Sequence, residues 1–315
     1  MSTDRTRPFP GLGRDLARIG LGTVRFRIAE RDAAFALLDA WSELGGDLVD
    51  SAARYGHGEA ETVLGSWMVS RGVRDRVVLL TKGAHPDESG QSRMTPDQIA
   101  QDLGASLDRL GTDVVDIYML HRDDPAVPVG EIVDALHEHV VAGRARSVGV
   151  SNWTIARIEA ALADAHARGR TAITSSSVYV GLAPWRVPPW PACVDGLDQV
   201  SAAWYARPEA PPNIAWSAQS GGVFADDFDP AHAAPEIVAA WDNQETHARR
   251  LRARALGREL GATAAQIALA YVLTGPGHPY ALSGARDADG LRAAWAALDV
   301  AISPDQRSWL ERGEA

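Results

Sequence analysis

Eight short apolar runs, separated by helix-length amphipathic segments, constrain this chain more than any other feature. The runs are Arg18–Thr23, Asp47–Ser51, Arg76–Lys82, Val114–Leu120, Arg146–Ser151, Ala172–Val178, Asn213–Ser217 and Tyr280–Gly284. They are continuous rather than alternating, as parallel strands buried on both faces should be. Between them, Asp32–Leu44 carries Phe35, Leu37, Leu38 and Trp41 at helical spacing. Thr95–Leu110 opens with Thr-Pro, a cap followed by proline at the first helical position. Gly130–Val141, Thr154–Ala167, Thr263–Leu273 and Asp287–Leu298 repeat the pattern, and Ser303–Leu310 opens with Ser-Pro. This alternation predicts an α/β chain forming one (β/α)8 barrel domain over residues 1–315. Its site is expected at the C-terminal ends of the strands. The rival, an open doubly wound sheet, usually shows G-x-G-x-x-G after its first strand; here Gly22-Thr23-Val24-Arg25-Phe26 stands there. Two long loops, Gly181–Pro212 (with a helix expected near Val194–Tyr205) and Gly221–Pro235, follow the sixth and seventh runs.

Composition narrows the partners. A net charge of −10 argues against nucleic acid, which wants a basic face. No run approaches the length of a membrane span. Met1–Pro10 has charges and no apolar core, so no signal peptide is expected there. The single Cys193 fits a reducing compartment, and the cytoplasm is the expected location. Of 31 basic residues only Lys82 is a lysine. Arginine cannot replace lysine where a compact ammonium of tunable pKa is needed, so Lys82 is a functional candidate.

The polar residues at strand ends form a set. Asp50 ends the second run, and Tyr55 follows it in the loop Ser51-Ala52-Ala53-Arg54-Tyr55. Lys82 ends the third and His121 follows the fourth. Ser151 and Asn152 close the fifth, and Trp216 and Ser217 the seventh. A barrel brings them to one mouth. A tyrosine, with a reference pKa of about 10, is a poor acid at neutral pH. A nearby ammonium is expected to lower that value, a carboxylate would hold the ammonium, and a histidine can orient a carbonyl oxygen. Such a set suits carbonyl reduction, with the hydride supplied by a cofactor.

At these residues the chain resembles the aldo-keto reductase superfamily. The resemblance rests on Asp50-Ser51-Ala52-Ala53-Arg54-Tyr55-Gly56-His57-Gly58-Glu59-Ala60-Glu61 with Leu64-Gly65, on Val77–Lys82, on Asp116–His121 and on Ser147–Trp153. It runs from about Gly20 to about Leu310. It implies Tyr55 as general acid, Lys82 as its partner, Asp50 as the anchor of the lysine and His121 as the carbonyl-orienting donor. It further implies Thr23 near the cofactor ribose, and Ser151 and Asn152 on the nicotinamide carboxamide. Trp216 would stack on the nicotinamide ring. The loop from Ser217 through Gln219 to Gly222 would wrap the pyrophosphate, and Gly284-Ala285-Arg286 would lie along the adenosine phosphate.

The chain departs from the family pattern in three places. Where many members have glutamine after strand six, the matching residue is Ser177. The later basic clamp and Glu-Asn pair read Gly290, Ala293 and Ala294, leaving Arg286 as the phosphate partner. NADP(H) is therefore favoured and NAD(H) stays open. The C-terminal loop that closes the pocket in many members is not expected in a chain ending at Ala315, so the pocket is open or closed by Gly181–Pro212.

The remaining signals are weaker. His121-Arg122-Asp123 looks like a kinase catalytic loop, but Pro128 stands where asparagine is required. His137 and His139 point to different faces of one helix and are expected to be exposed; no metal site is expected. His85 and Arg54 either contact substrate or stand as solvated loop residues. Trp41, Trp67, Trp241 and Trp295 are expected in the packing, and Trp153, Trp185 and Trp190 along a substrate wall. Cys193 has no basic sequence neighbour and reads as inert. The leading function is thus an NADP(H)-dependent oxidoreductase acting on a small carbonyl or alcohol, as a monomer or weak oligomer. The alternative is a nicotinamide-binding regulatory subunit with little turnover, acting through a partner protein.

Overall fold

The computed structural model describes residues 5–313. Its frame is a ring of eight parallel strands, each running from the same floor to the same mouth. The chain opens with an antiparallel hairpin of β1 (Thr6–Phe9) and β2 (Arg14–Ala17). The barrel strands follow as β3 (Ile19–Gly22), β4 (Leu48–Asp50), β5 (Val78–Gly83) and β6 (Val115–Leu120). They continue as β7 (Ala145–Ser151), β8 (Ser175–Ser177), β9 (Ile214–Ala215) and β10 (Tyr280–Ser283). The order is β8-β7-β6-β5-β4-β3-β10-β9, parallel throughout. Parallel bridges Ser176–Asn213 and Tyr179–Trp216 close the ring. The short strands at this seam are reinforced by Asn213, whose Oδ1 accepts from Val178 N at 2.9 Å.

The helices are α1 (Arg31–Glu43), α2 (Glu59–Arg71), α3 (Pro96–Leu110), α4 (Val129–Val141), α5 (Ile155–Arg168) and α6 (Gln199–Tyr205). After them come α7 (Pro235–Trp241), α8 (Gln244–Leu260), α9 (Ala264–Leu273), α10 (Ala288–Ala296) and α11 (Pro304–Arg312). The helix openings expected at Thr95 and Ser303 are formed, and these two and Thr263 each close a capping box with the glutamine three residues on. Every residue of β5 and β6 is buried, which is why their apolar runs are continuous. The barrel interior holds Leu48, Val78, Leu80, Ile117, Met119, Ile214, Tyr280 and Leu282. Gly65 lets α2 meet α3, because a Cβ there would stand 2.6 Å from the Leu110 carbonyl oxygen. Among the described residues no helix is long and apolar enough to cross a membrane.

The structure adds elements absent from the sequence reading. The β1–β2 hairpin plugs the floor of the barrel: Phe9 and Leu16 join the interior residues. Its Gly11 turns at φ 82° against Thr174 and Ser147, where a Cβ would meet Thr174 Cγ2 at 2.9 Å. Helices α2, α7 and α8 were likewise not singled out. In α8 only Thr246, Ala253, Leu256 and Gly257 are buried, too few apolar residues to write a helical stripe. His139 is corrected outright: it is buried, not exposed, and both its ring nitrogens lack partners. His137 Nδ1 instead meets Thr171 Oγ1 at 2.9 Å.

Candidate active site

The strand ends bring Asp50, Tyr55, Lys82 and His121 together. Residues Leu80 and Asp50 are paired in the β4–β5 register, so Asp50 and Lys82 rise side by side. Lys82 is only 2% exposed and its Nζ donates to Asp50 Oδ1, to the Ser51 carbonyl at 3.0 Å and to Tyr55 Oη at 3.1 Å. The Tyr55 hydroxyl in turn reaches Asp50 Oδ2 at 3.4 Å. The His121 ring stands edge-on to Tyr55, with centroids 5.8 Å apart, and His85 stands edge-on to His121 at 5.0 Å. Tyr55 is placed by a tight turn: Ala53 N donates to the Lys82 carbonyl, Tyr55 N to that of Ala52, and left-handed Gly56, His57 and Gly58 then reverse the chain into α2.

The electrostatics differ from the expectation in one respect. Burial pushes the Tyr55 phenol up and the Asp50 charge adds to it; Lys82 and Arg122 pull it back without reversing the direction. Burial likewise raises Asp50 against the pull of Lys82. For Lys82, burial works against the ammonium, but Asp50 and Tyr55 outweigh it and hold the charge. The free site is therefore a protonated phenol beside a lysine–aspartate ion pair, not a phenol with a depressed pKa. Burial, then the charges of Lys82 and Arg122, hold His121 well below the usual histidine range, so it is neutral at neutral pH.

A buried carboxylate supports this group from below. Glu61, in the first turn of α2, accepts from Thr81 Oγ1 at 2.5 Å and from Arg109 Nε at 2.8 Å. It ties α2 to β5 one residue before Lys82. Glu61 falls within the motif that follows Tyr55, but nothing along the chain links it to Thr81 or Arg109.

The other candidates occupy the mouth on the β7–β10 side and beside β3. Thr23 Oγ1 donates to Ser51 Oγ at 3.0 Å, next to Asp50. Ser151 Oγ donates to the Ser177 carbonyl at 3.1 Å, and Ser177 Oγ to that of Ile214 at 2.7 Å. Asn152, left-handed at φ 60°, is a junction. Its Nδ2 reaches Ser151 Oγ at 3.0 Å and the His121 carbonyl at 3.4 Å, while Oδ1 accepts from Trp216 Nε1 and Val194 N, each at 3.2 Å. Ser217 is also left-handed, at φ 48°, and starts the turn that carries Gln219, whose Oε1 accepts from Ser283 Oγ at 3.4 Å. A Cβ on Gly284 would meet nothing within 4 Å, so the backbone there is open to a ligand. Arg286 lies at this end and its charge acts on Arg25, which follows β3; burial and that repulsion both lower Arg25. Among the described residues neither guanidinium has a carboxylate partner within salt-bridge distance. Two guanidiniums that feel each other's charge, near an open glycine, fit a phosphate group, and Trp216 offers a ring at the other end. Arg25 was missed because only the barrel brings it to Arg286. Among the described residues no cluster of three or more His, Cys, Asp or Glu side chains is placed to hold a metal.

An aromatic wall bounds the mouth. Trp216 packs against Tyr179, Trp185 and Trp190, with centroids 5.3, 5.9 and 5.8 Å away. Trp153 is not part of this wall: it is buried, and its Nε1 donates to the Arg122 carbonyl at 3.2 Å. Cys193, without a basic neighbour along the chain, has one in space: Arg122 Nη2 lies 3.7 Å from its Sγ. Burial nonetheless raises the thiol.

A parallel barrel with a buried Lys–Asp pair under a tyrosine defines an oxidoreductase of the aldo-keto reductase class. The family model described as "Aldo/keto reductase family" matches residues 18–312, and the chain belongs to that family. It is 29% identical over 291 residues to norsolorinic acid reductase stcV of Emericella nidulans, covering 88% of this chain and 70% of that protein. It is 27% identical to an aryl-alcohol dehydrogenase [NADP(+)] of Phanerodontia chrysosporium, covering 92% and 77%. Among solved structures, an aldo/keto reductase from Klebsiella pneumoniae in complex with NADP and acetate superimposes with a TM-score of 0.71 at 26% identity, covering 98% of this chain and 94% of that one.

Proposed function

We propose that the protein is an NADP(H)-dependent reductase of aldehydes or ketones, able to run in reverse as an alcohol dehydrogenase. The observation that carries this reading is the 3.1 Å contact of Lys82 Nζ with the Tyr55 hydroxyl, anchored by Asp50. The nicotinamide, when bound, supplies the hydride. Tyr55 gives its proton to the carbonyl oxygen as charge develops there. Lys82 stabilises the phenolate left behind, and Asp50 holds the ammonium in place against solvent. Neutral His121 is left to orient the carbonyl by hydrogen bonding, which a charged imidazolium in this cationic mouth would not survive to do. Trp216 would stack on the nicotinamide, and Ser151, Asn152 and Ser177 would border its carboxamide. Ser217, Gln219 and Gly284 would follow the phosphates, with Thr23 at the ribose. Arg25 and Arg286 supply the charge that favours NADP(H) over NAD(H). The NADP named for the Klebsiella structure and for the Phanerodontia enzyme supports the same choice.

Titration with NADPH and NADH, following tryptophan fluorescence, tests the cofactor assignment. NADPH is expected to bind more tightly and to quench, with most of the quench lost in Trp216→Ala. Binding of neither cofactor would sink the reading.

A further inference from the structure

Arg122 is a charge without a counter-ion at the centre of the candidate site. Its residue is 7% exposed. Its guanidinium donates to the His121 carbonyl at 2.8 Å, the Pro191 carbonyl at 3.2 Å and Cys193 Sγ at 3.7 Å. All three acceptors are neutral, and a guanidinium has five N–H groups, so two remain. Among the described residues no carboxylate lies within salt-bridge distance of it. Asp123, the next residue, is committed to Arg157 at 3.2 Å. A buried cation is normally paired, because desolvation is otherwise uncompensated.

Position adds to this. The residue before Pro191 is Trp190, 39% exposed and 5.8 Å from Trp216. Arg122 is therefore fastened to the loop that carries the exposed ring of the aromatic wall. It follows His121 directly, and its charge is felt by both Tyr55 and His121. Arg54, exposed and only 3.7 Å from the exposed Glu88, adds a weaker positive charge nearby.

We propose that Arg122 binds an anionic group on the substrate, so that the preferred substrates are aromatic aldehydes or ketones carrying a carboxylate. The ring lies against Trp190, the exposed ring of the wall, while its carboxylate takes the two free N–H groups of Arg122. This rests on the carbonyl-reductase reading above and extends it to a substrate class.

The test compares kcat/KM for meta- and para-carboxybenzaldehyde with that for the neutral, near-isosteric formylbenzamides, at saturating NADPH. For the wild type, at least one acid is expected to be favoured over its amide by about 10- to 100-fold, the worth of a charge-assisted hydrogen bond. Arg122→Met should bring that ratio close to one, and Arg122→Lys should keep part of it. Both rates come from one sample, so the ratio is insensitive to how much of a variant folds. A residue acting only on the Tyr55 phenolate would lower both rates and leave the ratio alone. Benzoate and benzamide titrated against the NADP+ complexes of the wild type and of Arg122→Met give the same comparison without turnover: the preference for benzoate should be larger in the wild type, and chloride should weaken it. A wild-type ratio of one or less, or a ratio that survives in Arg122→Met, overturns the proposal. If benzaldehyde is reduced but the acids are not preferred, the proposal fails and the reductase reading stands. If no aldehyde oxidises NADPH, the reductase reading fails, and equal binding of benzoate and benzamide would then overturn the anion site as well.

Discussion

The Lys82 ammonium lies 3.1 Å from the Tyr55 hydroxyl oxygen and 4.9 Å from the centre of its ring. Its other two bonds go to Asp50 and to the Ser51 carbonyl, so all three of its N–H donors are used. This niche takes a point charge on a thin stem. A planar guanidinium presents its donors as a rigid fork and does not match it. That accounts for a lysine here in a chain whose every other basic residue is arginine.

Lys82→Arg should therefore be as damaging as a loss of charge. Turnover is expected to fall by about 100-fold or more in both Lys82→Arg and Lys82→Met. Melting temperature should drop in both, from overpacking in the first and from an unpaired buried Asp50 in the second. Steady-state NADPH oxidation and thermal denaturation check this; near-normal turnover in Lys82→Arg would contradict the account of the niche.

The pH profile follows from the two ring groups. Tyr55 is raised above its ordinary value, so it stays protonated through neutral pH and loses its proton only in the alkaline range. His121 is well below its ordinary value, so it is already neutral at neutral pH. Reduction, which needs protonated Tyr55, should be flat across neutral pH and fall only in alkali. An inflection in kcat/KM near the ordinary histidine range would mean that His121 titrates there and is less buried than described.

Arg286 repels the Arg25 charge, neither has a carboxylate partner among the described residues, and each is expected to contribute to cofactor choice. Replacing either by alanine should weaken NADPH by about 10- to 100-fold while affecting NADH much less. The two changes should not add, because removing one guanidinium relieves the other. Equal losses for both cofactors would place these residues away from the distinguishing phosphate.

His139 offers a stability test far from the chemistry. Its ring is buried edge-on to Tyr118 and Arg144 is nearby; burial lowers its pKa from 6.5 to about 4. The unfolded chain takes up a proton near 6.5 that the native state refuses until about 4. Stability from this group is thus complete above that window and is lost as pH falls through it, by at most about 3–4 kcal/mol. Urea midpoints at pH values spanning the window should fall less steeply for His139→Leu than for the wild type. Parallel slopes would show that His139 does not titrate with folding.

The barrel was legible because its strands are almost wholly buried, so Val78–Gly83 and Val115–Leu120 read as mostly apolar runs without polar alternation. The hairpin was not, because only Phe9, Leu16 and Ala17 of its eight strand residues are buried, amid charges and proline. The tetrad was legible because it falls at strand ends whose geometry is fixed once the barrel is assumed. Glu61 and Arg25 were not, since their placement depends on partners far along the chain: Arg109 and Arg286. The direction of the Tyr55 shift also escaped, because a motif names the neighbouring ammonium but not the depth at which the phenol sits.

The most direct measurement is NADPH-dependent reduction of an aryl aldehyde by the wild type and by Tyr55→Phe, with NADPH binding measured on the same samples. The account predicts that both bind NADPH with similar affinity and that turnover falls by about 100- to 10,000-fold in the variant. Unchanged turnover in a variant that binds cofactor normally would contradict the assignment of Tyr55 as the acid, and with it the mechanism.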